Sequence, residues 1–130
     1  MRYLIDTNIV IDHFRGEPQV ISFLQKAQQS GLAISVISIG EILEGLVGQP
    51  KEGKRRKDLE DFLVATKVLD VDRKTVEIFA KTRTDLRDKG KLIENFDILI
   101  AATAIEHNLT LVTKDKDFER IEGLQLKFIR

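Results

Sequence analysis

Phe96-Asp97-Ile98-Leu99-Ile100-Ala101-Ala102-Thr103-Ala104-Ile105, followed after a short gap by Thr110-Leu111-Val112-Thr113, is the stretch on which the fold turns. The first run is apolar nearly all the way round a helix, interrupted only by Asp97 and Thr103, the pattern of a helix buried between other elements. The second is β-branched and apolar, a buried strand. Tyr3-Leu4-Ile5 reads as another short strand, Asp6-Thr7-Asn8 as its turn, and Ile9, Val10, Ile11 and Phe14 as the start of a helix. Pro18 opens a second helix through Val20, Ile21, Phe23, Leu24 and Ala27, which Ser30-Gly31 stops before a strand at Leu32 to Ser35. Ile39, Ile42, Leu43 and Leu46 give a third helix over 37–47, ended by Gly48-Gln49-Pro50, and residues 50–56 read as an exposed connection.

Further on, Leu59, Phe62 and Leu63 mark a helix, Val68-Leu69 a short strand, and Val76, Phe79, Ala80, Arg83 and Leu86 an amphipathic helix with Gly90 at its C-terminal side. Leu124 to Ile129 alternates apolar and polar residues and reads as a half-exposed edge strand. Strands alternating with helices imply βαβ units, a parallel sheet and helices on both faces. The expectation is one α/β domain over residues 1–130, in three α/β/α layers around a mostly parallel sheet of four to five strands.

Composition narrows the chemistry. The chain has 130 residues, a length for one domain, and 42% of them are hydrophobic, enough for a core. Twenty-one Lys plus Arg balance 21 Asp plus Glu, so no global basic field draws in nucleic acid, and any polyanion contact comes from local patches. There is no Cys, which excludes disulfides, thiolate metal sites and a cysteine nucleophile, and fits a reducing compartment such as the cytoplasm. The N-terminus reaches Asp6 too early for a signal peptide, and no apolar run approaches the roughly 18–20 residues of a spanning helix, so no membrane association is expected. With 2 His, an all-histidine zinc site is impossible, and the hard-metal ligands on offer are carboxylates.

Four acids stand where chemistry is expected. Ligands of open parallel sheets bind beyond the carboxyl ends of the strands, and Asp6 and Asp115 each follow a strand. Asp6-Thr7-Asn8 also fits a helix N-cap. Glu41 lies in the apolar segment 36–43 and needs a partner there, unless it forms a solvent-facing strip with Glu44. Asp97 is the sole charge on the buried helix; an isolated carboxylate there stays protonated or requires a cation, although a first-turn position capped by Asn95 would also accommodate it. One shared explanation covers all four: a carboxylate-lined Mg²⁺ or Mn²⁺ site, the inventory that hydrolyses a phosphodiester without a His or Ser nucleophile.

In Leu4-Ile5-Asp6-Thr7-Asn8, Ser38-Ile39-Gly40-Glu41-Ile42, Asp97-Ile98-Leu99-Ile100-Ala101-Ala102-Thr103-Ala104 and Leu111-Val112-Thr113-Lys114-Asp115-Lys116-Asp117-Phe118, the chain resembles the PIN-domain ribonucleases, in particular the VapC-type toxins of toxin–antitoxin pairs. The resemblance covers essentially the whole chain. It implies a metal-dependent endoribonuclease with ligands at Asp6, Glu41, Asp97 and the acid of the last motif, inhibited by a cognate antitoxin and often dimeric. That last acid is read as Asp115, with Asp117 left to cap a short helix before Phe118. Thr7, Asn8 and Thr113 stand where the family places polar groups that orient ligands, water or substrate. The basic stretches 51–57 and 81–91, together with His13 and Arg15, are candidates for the RNA backbone or the cleft rim, with solvated faces and an ordinary surface imidazole as the alternatives. Two further readings are a PIN-like RNA-binding domain without catalysis and a receiver-type phosphoacceptor; the second expects an acidic pair after the first strand, where this chain has only Asp6.

Overall fold

A computed structural model describes residues 1–129. Five strands, β1 (Tyr3–Ile5), β2 (Leu32–Ser35), β3 (Thr66–Leu69), β4 (Thr110–Thr113) and β5 (Gln125–Phe128), form one sheet in the order β3-β2-β1-β4-β5. Every neighbouring pair is parallel, so the mostly parallel sheet of four to five strands is a fully parallel one of five. Six α-helices connect them: α1 (Thr7–Phe14), α2 (Pro18–Ala27), α3 (Val36–Leu46), α4 (Glu52–Val64), α5 (Arg73–Asp88) and α6 (Asn95–Glu106).

Alternation along the strands assigns the two faces. Leu4, Ala33 and Leu111 join a core with Leu86 of α5 and Ile98, Ala101 and Ala104 of α6. Their chain neighbours Ile5, Ile34 and Val112 point the other way, against Ile9 and Val10 of α1, Val20 and Leu24 of α2, Ile42 of α3 and Leu59 of α4. This is why the central strands read as continuous apolar runs: both faces are covered. The last strand, β5, is half exposed as its alternation predicts.

Two local expectations are corrected. Residues 50–56 are not a connection, because α4 starts at Glu52; i,i+3 and i,i+4 ion pairs among its charged residues support a helix that has little apolar face at its start. Asn95 is the first residue of α6 rather than its cap; Glu94 holds the N-cap position and makes no side-chain cap bond.

The strand order creates a switch point. From β1 the chain works outward through β2 and β3, then returns to the other side of β1 for β4 and β5. Crossovers therefore diverge between β1 and β4, leaving a crevice at the carboxyl ends of those two strands. Ile5 lies opposite Val112 in the ladder, and the Asp6 N–H donates to the Val112 carbonyl at 2.9 Å, so Asp6 and Thr113 leave the sheet side by side.

Candidate active site

The switch point gathers the four expected acids from four separate elements. Asp6 is 3% exposed and held at both oxygens: Oδ1 accepts from the Thr7 N–H at 2.8 Å and Oδ2 from the Thr113 hydroxyl at 2.7 Å. It is the N-cap of α1, so the capping reading and the site reading hold together. Glu41, on α3, is half-buried and accepts from the Thr7 hydroxyl at 2.7 Å, which brings it to Asp6 instead of into a solvent strip with the exposed Glu44. Asp97 sits in the first turn of α6, half-buried, and its carboxylate receives no hydrogen bond among the described residues. Asp115 follows β4; its N–H donates to Thr113 Oγ1 at 3.0 Å.

Electrostatics shows how near these groups are. Burial pushes Asp6 up to about 6 against the lowering effect of its two hydrogen bonds, with Glu41 and Asp115 adding repulsion. Asp97 is pushed up to about 7, by burial first and then by Asp6, Glu41, Asp115 and Glu94. Asp97 is thus within electrostatic reach of Asp6, Glu41 and Asp115, and Asp6 within reach of Glu41 and Asp115.

The structure separates Asp115 from Asp117 and reverses the capping assignment. Asp115 is the N-cap of the 3₁₀ helix Lys116–Arg120, its Oδ1 accepting from the Asp117 N–H at 2.9 Å. Asp117 lies inside that helix, exposed, 3.5 Å from Arg120. Of the polar groups, Thr7 and Thr113 are buried and fasten the acids, whereas Asn8 is exposed and makes no side-chain hydrogen bond among the described residues. His13 is not a surface imidazole: its ring lies 5.7 Å from that of Phe62, burial lowers its pKa, and the cavity it lines contains none of the four acids. Arg15 is exposed. In the basic stretch 51–57, Lys54, Arg55, Arg56 and Lys57 pair with Asp58, Glu52 and Asp61 on their own helix. From the stretch 81–91, Arg83 reaches the acidic cleft.

Sequence reasoning missed Glu94, which adds to the charge on Asp97, and the ion pair between Lys114 Nζ and Asp12 Oδ2 at 2.8 Å. Asp12 carried a signal, since a carboxylate beside the buried stripe of α1 requires a cation.

No three His, Asp or Glu side chains among the described residues already stand in ligating geometry. Glu41 and Asp97 border an open cleft, with Asp6 and Asp115 within electrostatic reach of Asp97, and this all-oxygen donor set rich in negative charge fits a hard divalent ion that keeps much of its water.

The family model of the PIN domain matches residues 3–124. The chain belongs to the PIN-domain family. It is 34% identical over 132 residues to ribonuclease VapC2 of Rickettsia felis, covering 98% of this chain and 97% of that one, and 32% identical over 127 residues to ribonuclease VapC1 of Methanocaldococcus jannaschii, covering 97% and 85%. Among solved structures, that of VapBC2 from Rickettsia felis bound to a DNA fragment from their promoter superposes with a TM-score of 0.93 at 32% identity over 100% of both chains. The resemblance seen in the four motifs is thus a family membership, and PIN-domain nucleases of the VapC type are metal-dependent. No helix among the described residues is long and apolar enough to cross a membrane.

Proposed function

We propose that this PIN domain is an endoribonuclease of the VapC type, hydrolysing RNA phosphodiesters with Mg²⁺ or Mn²⁺ held by Asp6, Glu41, Asp97 and Asp115. The observation that carries the reading is the convergence of these four carboxylates, from the end of β1, α3, the first turn of α6 and the end of β4, on the one crevice that the sheet topology leaves open. A divalent ion bound there would supply a water acidified toward neutral pH and positive charge beside the leaving oxygen. The chain's own residues prepare the place. Thr113 and Thr7 lock the Asp6 carboxylate with two donors, and the Thr7 hydroxyl reaches across to fix Glu41, so two acids are oriented before anything binds. Asp97, free of donors and raised to about 7, holds a proton through part of the neutral range until positive charge arrives. Asp115 is positioned through its N–H bond to Thr113, which ties it to the hydroxyl that holds Asp6.

The partners follow the same reading: RNA as substrate, a cognate antitoxin that inhibits the enzyme, and a homodimeric assembly in the cytoplasm. The Rickettsia VapBC2 structure, in which the similar chain belongs to a two-protein assembly, supports the antitoxin. The test is cleavage of total RNA by antitoxin-free protein with Mg²⁺ or Mn²⁺ and with EDTA, wild type against Asp97→Asn. Discrete metal-dependent products absent from the variant are expected. Equal products from both proteins would remove Asp97 from the mechanism, and RNA binding without any product would leave a binding domain.

A further inference from the structure

Among the described residues Thr7, Ser35, Thr66, Thr75, Thr103 and Thr113 are buried, and the hydroxyl of each makes a hydrogen bond. Ser38, on α3, is 0% exposed and its Oγ makes none. Folded proteins rarely leave such an atom unsatisfied, since the hydration it loses is returned by no bond. Capping does not account for it, because Ser35 already caps α3 by accepting from the Ile37 N–H. Nor does Ser38 bond back to the preceding turn, as Thr103 does to the Leu99 carbonyl. The other unpartnered buried side-chain atom among the described residues, His13 Nδ1, belongs to a ring that lines a cavity containing none of the four acids.

The neighbours of Ser38 fix its direction. Ile37 packs with the core on the α5–α6 face of the sheet, and Ile42, one turn after Ser38, with the core on the α1–α2–α4 face. Helix periodicity places Ser38 between these two directions, so its hydroxyl points at the rim of the sheet, where the two cores meet. That rim is the carboxyl end of the strands, because α3 follows β2 without a break at Ser35. Glu41, three residues beyond Ser38, occupies the adjoining strip of the same helix and reaches Thr7 at the start of α1. The orphaned oxygen is therefore aimed at the floor of the acidic crevice.

We infer that Ser38 is a positioning residue for the divalent ion, its hydroxyl accepting a hydrogen bond from a water molecule that the hydrated ion brings to the floor of the cleft. The inference rests on the metal site of the nuclease reading and adds a neutral contact to its carboxylates. Mg²⁺ sheds water reluctantly and keeps several molecules, so an open carboxylate site has to hold water as well as metal. A hydroxyl suits that place, because it accepts from the water without adding negative charge to a cluster that already repels itself. Outer contacts of this kind set metal affinity by about 10- to 100-fold.

The test titrates the antitoxin-free full chain with Mn²⁺ by calorimetry, beside thermal unfolding in EDTA. Ser38→Ala should weaken Mn²⁺ binding about 10- to 100-fold while its Tm in EDTA equals or exceeds that of wild type, because the oxygen removed bonds nothing in the metal-free fold. Ser38→Cys, which keeps bulk but accepts weakly, should follow Ser38→Ala, and Ser38→Thr, which keeps the hydroxyl, should bind Mn²⁺ within about threefold of wild type. Thr66→Val deletes a satisfied hydroxyl that lines the cavity without the acids, and should show the opposite signature, a lower Tm in EDTA with unchanged Mn²⁺ affinity. RNA cleavage by Ser38→Ala should return when Mn²⁺ is raised by the same factor of about 10 to 100. Wild-type Mn²⁺ affinity in Ser38→Ala overturns the inference while the nuclease reading stands, and a Tm in EDTA lowered as in Thr66→Val then assigns the hydroxyl to a structural water of the fold. Weaker Mn²⁺ binding accompanied by a lower Tm in EDTA, and not restored by Ser38→Thr, also overturns it, as damage to the fold. If wild type takes up no Mn²⁺, the metal reading and the inference fall together.

Discussion

Neutralising Asp97 should abolish cleavage and, in metal-free buffer at pH 8, stabilise the fold. Two opposing effects set the sign. Asp97 lies in the first turn of α6, where a negative charge near the helix's positive end contributes about 0.3–1 kcal/mol. Against this, burial and the surrounding acids raise its pKa from the ordinary 3.8 to about 7. For a fully buried group that rise would correspond to about 4 kcal/mol of destabilisation of the ionised form; Asp97 is only half-buried, and solvent screening reduces it to about 1–2 kcal/mol. Repulsion and desolvation exceed the helix term, so Asp97→Asn gains about 1 kcal/mol, raising Tm by about 3–5 °C in a chain of this size. The pH dependence follows from the raised pKa. Between about pH 4 and 7 the folded state holds a proton that the unfolded state has lost, so stability from this group falls as pH rises through that window. The variant's advantage is absent at pH 3.5, grows toward pH 7 and is constant above. Thermal unfolding in EDTA at pH 3.5, 6 and 8, beside RNA cleavage in Mg²⁺, measures both parts. A variant destabilised equally at all three values would refute the reasoning and make Asp97 a helix-terminus residue.

Asp115→Asn keeps the cap of the 3₁₀ helix, since Asn caps as well as Asp, and should lose cleavage at least about 100-fold with Tm unchanged or higher, while Asp117→Asn, exposed and paired only with Arg120, should stay within about threefold. Thr113→Val deletes the bond to Asp6 Oδ2 and the acceptor of the Asp115 N–H; it should cost about 1.5–3 kcal/mol at pH 7.5, read by urea denaturation, and move the acid limb of the pH–rate profile upward, because the hydroxyl lowers the Asp6 pKa. Mg²⁺ or Mn²⁺ at about 100 times its Kd should stabilise wild type by about 2.7 kcal/mol at pH 7.5 and flatten the fall in stability between about pH 4 and 7, with a smaller gain in Asp97→Asn by calorimetry. Equal stabilisation of both proteins would place the ion elsewhere.

What the sequence disclosed and what it withheld divide along a physical line. Strands buried on both faces and a helix apolar all round leave an unmistakable pattern, so the parallel sheet and the three layers were legible from 3–5, 32–35, 96–105 and 110–113. Acids that contradict that pattern were legible for the same reason, because Asp97 on an apolar helix and Asp6 at a strand end stand out against their neighbours. Residues 50–56 were misread because a helix held by ion pairs such as Arg56–Glu52 and Lys54–Asp58 carries no apolar period at its start. Asp115 and Asp117 were indistinguishable by composition; which of two acids caps a turn depends on backbone angles fixed by tertiary packing. The contributions of Glu94, Arg83 and the Asp12–Lys114 pair are relations between distant segments, and no single window of sequence contains them.

The same contrast explains why the site is built at the sheet's centre. A cluster of like charges is destabilising wherever it sits, and the fold has to hold it without a permanent counter-charge, since a cation fixed among the acids would occupy the place of a metal. Around Asp6 the nearest donors are the Thr7 N–H and the Thr113 hydroxyl, neutral groups that orient a carboxylate while leaving its charge uncompensated. Among the described residues Lys114 is committed to the buried Asp12 of α1 and ties that helix to the segment carrying Asp115. Arg83 apart, positive charge near the site is thus spent on holding the walls of the crevice in register, and acids outnumber cations along the cleft. Central strands β1 and β4, buried on both faces and hydrogen-bonded to neighbours on both sides, are the part of the molecule best able to bear that stored repulsion. Edge strands such as β5, half exposed, would relieve it by moving apart.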